Sequence, residues 1–258
     1  MSDELPLARR DVIAGRLAAG QSVIAAALAT EFGVSEDAIR RDLRALASEG
    51  RCRRVYGGAL PLGGGVIPMA ARIGQDRERK LALARTTART IQQGEFLFLD
   101  SGSTNLALAS FLPDDFDLTV ATNAIDIAAA LLHRQDLHLI MIGGSVHAGV
   151  GGCVDADAIA QAARMNIDRC FLGACAVSAQ DGVSAFDASD AAFKRTLLSL
   201  SRISMAMVTN EKLQTRAPHR VAAAKAIDQL TVEHDAPSSA LALLRKAGAS
   251  VMTADPPA

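Results

Sequence analysis

The chain has no tryptophan and one tyrosine among its 258 residues. A protein that reads single strands by stacking bases on aromatic rings is therefore disfavoured. Cysteine is scarce: Cys52, Cys153, Cys170 and Cys175 are scattered, with no C-x-x-C and no histidine nearby. Neither a disulfide framework nor a zinc site is expected from that spacing, and free buried thiols in a reducing cytosol fit better. The five histidines show no metal-binding spacing either, and His133 and His138 read as surface residues. A long hydrophobic run is also missing. The longest uncharged stretch, Leu137–Val154, is interrupted by five glycines, two histidines and a serine, whereas a spanning helix needs about 20 predominantly apolar residues. The opening MSDELPLARR has no apolar core, so no secretory leader is expected. A cytoplasmic location without membrane association follows as an expectation. Charge of one sign is lacking too. With 27 Lys and Arg against 28 Asp and Glu, the chain is not uniformly basic like a histone. What it does have is 50% hydrophobic residues and 21% charged ones, enough apolar material for a full core.

The charge is distributed unevenly. Residues 1–62 hold nine arginines, no lysine and eight acids. Within them, RRDLRALASEGRCRRVY (40–56) carries six arginines against two acids, the footprint of a phosphate-backbone contact on a small domain. Helical spacing runs over 5–19, with Val12, Ile13 and Leu17 able to share a face. A second helix is expected over 22–32, capped by Ser22, with Ile24, Ala27 and Leu28 inward. After Gly33, Ser35 caps a third helix whose first turn holds Glu36 and Asp37, where the helix dipole favours anions. Ile39, Leu43 and Leu46 form its core stripe, which leaves Arg40, Arg41 and Arg44 toward solvent. The short glycine-containing turn FGVS between the two helices is the mark of a helix-turn-helix. Two β-type runs flank Gly57–Gly58 and read as a hairpin carrying Arg53, Arg54 and Tyr56. Together these make a winged helix: the third helix enters a major groove while the wing reaches the sugar–phosphate edge. The same arginines could instead form a solvated face, with Asp37–Arg41 as an ordinary i,i+4 pair.

Three consecutive glycines and a proline in LGGGVIPMAA (62–71) read as a linker. The division expected is a DNA-binding domain at 1–61, a linker at 62–75 and a second domain at 76–258. In the second domain apolar strands (95–100, 117–122, 137–142, 169–177, 203–209, 229–233 and 250–254) alternate with helices. That pattern indicates a mostly parallel, doubly wound α/β sheet covered on both faces.

The string LDSGSTN places Asp100, Ser101, Gly102, Ser103, Thr104 and Asn105 between a strand and a helix. Amides and hydroxyls at a helix N-terminus favour an anion; the same string could also be only a capped βα turn. Thr122–Asn123 and Gly143–Gly144 also end strands and can converge on one crevice. Gly151 and Gly152, in the run GVGG, could cradle a ligand or form a plain loop. Lys194, near Asp187 and Asp190, and Lys212 could neutralise phosphate, or could simply pair with acids at the surface.

The strings VSEDAIRRDLRALASEG and RVYGGAL, followed in order by ERKLALARTTARTI, FLDSGSTNLALA, VATN, MIGG and a lysine-containing helix, resemble the DeoR family of bacterial sugar-responsive transcriptional regulators. The run GGCVDADAIAQAARMNIDRCFLG is most similar to its glycerol-phosphate-responsive branch. The chain differs in carrying Ala38 where the family usually has Thr, Tyr56 for the wing His, Asp190 for Glu, and only Lys212 of an Asp-x-Ser-Lys string. The resemblance implies a winged helix-turn-helix followed by a sugar phosphate isomerase/deaminase-like α/β domain. It implies DNA contacts from Ser35, Ala38, Arg40, Arg41, Arg44, Arg53, Arg54, Tyr56, Gly57 and Gly58, and an effector site among the loop residues named above. The expected partners are double-stranded operator DNA, a phosphorylated sugar or polyol, and further copies of the chain in a homodimer or homotetramer, with no cofactor. A sugar phosphate isomerase or deaminase is the competing reading. Such an enzyme needs a carboxylate base, and only Asp187 and Asp190 offer one. A purely architectural DNA protein would have no use for the large second domain.

Overall fold

The computed structural model describes residues 6–18, 23–55, 57–60 and 69–257. The chain divides into two compact units, Met1–Ala71 and Arg72–Ala258.

The first unit runs α1 (Pro6–Ala18), β1 (Val23–Ile24), α2 (Ala25–Phe32), α3 (Glu36–Ser48), β2 (Arg53–Val55) and β3 (Gly58–Leu60). Gly33, left-handed at φ 63°, ends α2, and the Ser35 hydroxyl accepts from the Ala38 amide to start α3. Ile39, Leu43 and Leu46 are buried against Ile13, Leu17 and Leu28. The second helix departs from the sequence reading. It begins at Ala25, because Val23 and Ile24 pair with the wing as a third strand in the order β1-β3-β2. Ile24 and Ala27 are exposed, and so is Val12; the inward residues of α2 are Ala25, Leu28 and Ala29. Ser22 lies outside the described residues. The close pairing of β1 with β3 requires Gly58: a Cβ there would lie 2.1 Å from the Val23 carbonyl oxygen.

The stretch 62–75, read as linker, contains a short helix, α4 (Met69–Gly74); residues 61–68 lie outside the described ones.

The second unit continues with α5 (Arg77–Ala88), β4 (Phe96–Leu99), α6 (Ser103–Ala109), β5 (Leu118–Thr122), α7 (Ile125–Leu131), β6 (Leu137–Met141), β7 (Val146–His147), β8 (Gly152–Cys153) and α8 (Ala156–Ala162). It ends with β9 (Ile167–Leu172), β10 (Ala176–Ser178), β11 (Gly182–Ala185), α9 (Ala188–Leu200), β12 (Ser201–Val208), β13 (His219–Ala222), β14 (Gln229–Val232), α10 (Ser238–Lys246) and β15 (Val251–Thr253). Seven strands form one parallel sheet in the order β15-β14-β12-β9-β4-β5-β6. Side chains alternate across it. Leu97, Leu99, Phe171, Met205 and Met207 face one core with Leu83, Leu108 and Ile127. Phe98, Cys170, Leu172, Ala206 and Val208 face the other with Ala158, Phe193 and Leu197. Burying each large apolar side chain contributes about 1.5–3 kcal/mol, so both helix layers are held. The run 169–177, read as one strand, breaks at Gly173. Its second half becomes β10, in a small sheet with β11 and β13 that the sequence reading did not foresee.

The chain winds outward from β4 through β5 to β6. It then returns to the other side of β4 as β9 and winds out through β12 and β14 to β15. The direction of winding therefore reverses between β4 and β9. In such sheets the crevice beyond the strand ends at the reversal is where ligands sit.

Candidate functional site

In the first unit α3 presents Arg40, Arg41 and Arg44 to solvent, opposite its buried stripe. Arg40 donates to Glu36 at 2.7 Å and to Asp37 at 3.4 Å. Asp37 thus pairs with Arg40 and not with Arg41. Among the described residues Arg41, Arg44 and Arg54 have no carboxylate within salt-bridge distance. Arg54 is exposed on the wing, opposite Ala59. Arg53 is opposite Leu60, Gly57 makes the turn at φ 82°, and Tyr56 lies outside the described residues. Ser35 is exposed at the helix start and Ala38 is half-buried. Asp42, on the inner side of α3, is buried and accepts from Arg9 at 2.8 Å, which ties α1 to α3. This surface combines an arginine-bearing helix with a basic hairpin, and its unpaired cations face water where they could replace the counterions of a duplex.

In the second unit a pocket of about 310 Å³, including its open part, lies beyond β4 and β9. Ser101–Asn105 line it from one strand end, Gly173–Cys175 from the other, with Leu172, Met207, Lys212 and Arg72 closing the sides. The loop after β4 is braced from below. Thr122 Oγ1 donates to the Leu99 carbonyl at 2.7 Å. Asn123 accepts from the Ser101 amide at 3.1 Å and donates to the Cys153 carbonyl at 3.0 Å. Asn105 donates to the carbonyls of Asp100 and Phe171, both at 2.8 Å. Gly173 allows the two strand ends to meet, since a Cβ there would lie 2.1 Å from the Ser101 carbonyl oxygen. So supported, the main-chain amides of Gly102, Ser103, Thr104 and Asn105 find no acceptor among the described residues. The buried Thr104 hydroxyl is also without a partner.

Two cations face these donors. Arg72 gives one terminal nitrogen to the carbonyls of Gly149 and Val150 at 3.1 and 3.2 Å, while its buried Nε has no partner. Lys212 closes the 3-10 turn Asn210–Lys212 after β12. Burial lowers the pKa of both, and for Lys212 the neighbouring Arg72 and Lys194 cations lower it further. An anion would relieve that strain, because it supplies the missing countercharge and the missing acceptors at once.

Other residues singled out by sequence reasoning lie elsewhere. Lys194 is 2% exposed, 3.0 Å from Asp100 and also paired with Asp190. Against the cost of burial, these carboxylates raise its pKa. It is thus not a surface lysine: it lies within α9 and points into the interior. Asp100 also accepts from the Gly173 amide at 2.8 Å, so the trio holds the two strand ends in place. Asp187 caps α9 and lies 3.5 Å from His147. Gly143 is hydrogen-bonded through both backbone groups to Gln161. A Cβ on Gly144 would collide with Asp155, and one on Gly152 with the Asn123 carbonyl. Gly151 is left-handed at φ 85°. None of these four glycines lines the pocket. Sequence reasoning missed Arg72, although one signal was present: it is the one charged residue between Arg54 and Asp76.

No helix among the described residues is long and apolar enough to cross a membrane. The family model of the DeoR-like helix-turn-helix domain matches residues 9–62, and that of the DeoR C terminal sensor domain matches 75–234. Among curated proteins, the chain is 28% identical to a putative aga operon transcriptional repressor of Escherichia coli O157:H7, over 95% of this chain and 92% of that protein. It is also 28% identical to the glycerol-3-phosphate regulon repressor of Escherichia coli, over 84% and 86% of the two chains. Among solved structures, ribose 5-phosphate isomerase A from Methanocaldococcus jannaschii aligns over 54% of this chain and 55% of its own. That alignment has 12% identity and a TM-score of 0.39, a likeness too slight to argue from. With both family models in place over most of its length, the chain belongs to the DeoR family: it is a DNA-binding transcriptional regulator, not an enzyme, in which a helix-turn-helix domain for operator DNA precedes a sensor domain for a small-molecule effector.

Proposed function

We propose that this regulator represses a carbohydrate or polyol catabolic operon and releases its operator when a phosphorylated sugar or polyol fills the pocket beyond β4 and β9. One observation carries the reading: Arg72 and Lys212 converge on four free amides and the unpartnered Thr104 hydroxyl. A phosphate monoester carries close to two negative charges near neutral pH and three acceptor oxygens, which matches that set of donors. The names of the two relatives, repressors of an aga operon and of a glycerol-3-phosphate regulon, support the same class.

On the DNA side, Arg40, Arg41 and Arg44 of α3 and Arg53 and Arg54 of the wing contact the duplex, together with Ser35, Ala38, Tyr56, Gly57 and Gly58. Operators read by such modules are repeats, so the regulator acts as a homodimer or homotetramer in the cytoplasm. Release requires the ligand to bind the operator-free state more tightly than the bound one. The test is a gel shift on the DNA upstream of the gene, with and without glycerol phosphates and pentose and hexose phosphates. Operator release by one of them is the expected result. Isomerase turnover of those compounds, with no DNA binding, would reverse the assignment.

A further inference from the structure

The motif ERK at the start of α5 has no part in either surface described so far. Its Arg79 and Lys80 point to different neighbours. Lys80 is 3% exposed, and its ammonium donates to the Arg72 carbonyl at 2.6 Å and to the Gln75 carbonyl. It thereby fixes the main chain from which one pocket cation extends. Arg79 pairs with Glu233, which is also 3% exposed. Glu233 in turn accepts from the Asn210 amide at 3.2 Å, the first residue of the turn that ends in Lys212. Arg79 also reaches Asp235 at 3.1 Å, and Asp235 accepts from the Asn210 side chain at 2.8 Å. Two adjacent residues of one helix therefore hold the backbone positions of the two cations that face the free amides.

We infer that Arg79 and Lys80 are positioning residues for the anion site, Lys80 through Arg72 and Arg79 through Glu233 and the Lys212 turn. This rests on the reading of the pocket as an anion site. Arg72 and Lys212 repel each other; the Gly149 and Val150 carbonyls hold the Arg72 guanidinium, while Lys80 and the Arg79–Glu233 pair hold the backbones of both cations from outside the pocket. Without such a brace each would relax outward into water, and an incoming anion would have to reassemble the site at a cost in affinity. Removing Arg79 also leaves the Glu233 carboxylate buried with only the weak Asn210 amide, free to swing and take the turn with it.

The experiment uses the full chain and inorganic phosphate, with binding followed by calorimetry and, separately, by the phosphate-dependent shift of Tm. Arg79→Met is expected to weaken phosphate about fivefold, the size of a one-kcal/mol pair, and Arg79→Lys to recover most of the loss. Lys80→Met is expected to weaken it more. Arg89→Met is the control: Arg89 lies just past α5 and makes an exposed pair with Asp255 at 2.7 Å, so its phosphate affinity should stay at the wild-type value. If Lys80→Met does not fold, the half-exposed Arg79 decides. A lower Tm with unchanged phosphate affinity in Arg79→Met would make the residue merely structural and overturn the inference. Arg72→Met and Lys212→Met separate the two levels. If they abolish phosphate binding while Arg79→Met leaves it intact, only the positioning role fails. If they leave it intact, or the wild type takes no phosphate, the pocket reading falls and this inference with it.

Discussion

The two units put their cations to opposite physical use. The helix-turn-helix unit carries arginine alone, and on α3 and the wing it leaves Arg41, Arg44 and Arg54 in water. The sensor buries its chemistry. Lys80 and Lys194 are almost wholly inside, and Arg72 and Lys212 line a pocket. An exposed guanidinium costs the fold little and acts when a duplex displaces its counterions. A buried ammonium must be matched at once, and the match then dictates the local structure. The first arrangement makes a surface that is always ready. The second makes one that is complete only when a ligand arrives.

The sharpest way to break this contrast is to remove a buried cation. Lys194→Met leaves the carboxylates of Asp100 and Asp190 facing each other without their partner. Breaking a buried pair from one side costs about 3–5 kcal/mol, so urea denaturation should show a loss of that order. Replacing Lys194 and Asp190 together by methionine and leucine should restore a large part. A loss under about 1 kcal/mol for the single change would mean that the trio is hydrated and the contrast false.

The helix-turn-helix unit contains its own exception, which sharpens the comparison. Asp42, beside the exposed arginines in sequence, is 4% exposed and pairs with the equally hidden Arg9. Asp42→Ala should destabilise this unit by about 2–4 kcal/mol through the uncompensated guanidinium. Its immediate neighbour Arg41 should be nearly silent in stability, within about 0.5 kcal/mol. Thermal unfolding of the two variants side by side checks this. Equal losses would contradict the division into an inner and an outer face of α3.

For the outer face the effect is on DNA. Arg41→Ala with Arg44→Ala should lower operator affinity and reduce the slope of log K against log salt by nearly two, about 0.9 for each phosphate that is no longer neutralised. Arg40→Ala should change the slope less, since its charge is already engaged by Glu36 and Asp37. A salt slope that does not move in the double variant would remove these arginines from the interface.

How much of this the sequence discloses depends on whether the information is local. The stripe Ile39, Leu43, Leu46 is periodic, so it determines the face of α3 and with it the exposed arginines. The alternation of strands and helices disclosed the parallel sheet for the same reason. Burial that arises from distant partners was not visible. Asp190 and Lys194 at i,i+4 look like a surface pair; only Asp100, ninety residues earlier and brought alongside by the sheet order, makes the pair an interior trio. Arg72 was lost in a stretch that reads as linker because glycine and alanine dominate it. Gly173 was absorbed into an apolar strand, although a glycine within such a run often marks the close approach of another backbone, here Ser101.

The smallest expected effect is a pH dependence, and it separates the two kinds of cation again. Lys212 faces Arg72, Lys194 and Lys80 on the cationic side, and Glu211 and the Cys175 thiol on the other. Burial, Arg72 and Lys194 hold its ammonium below the usual lysine value, while Cys175 and Glu211 pull the other way. Without an anion, the pocket therefore loses the Lys212 proton at a pH where a solvated lysine would keep it. A bound anion favours the charged form and raises the value again, so binding above the depressed pKa takes up a proton. Affinity for sulfate, which keeps its own charge throughout, should accordingly hold steady at lower pH. It should then fall as pH rises through the depressed value, by at most tenfold per unit, levelling where the bound form also titrates. Calorimetry in buffers of different ionisation enthalpy detects the proton taken up. Operator binding measured over the same range is the comparison: a step at the same pH there would assign the proton to a group outside the pocket. If Lys212→Met binds sulfate with the wild-type pH profile, the titrating group is another, and the neighbouring Lys80, lowered by burial and by Lys212 itself, takes its place.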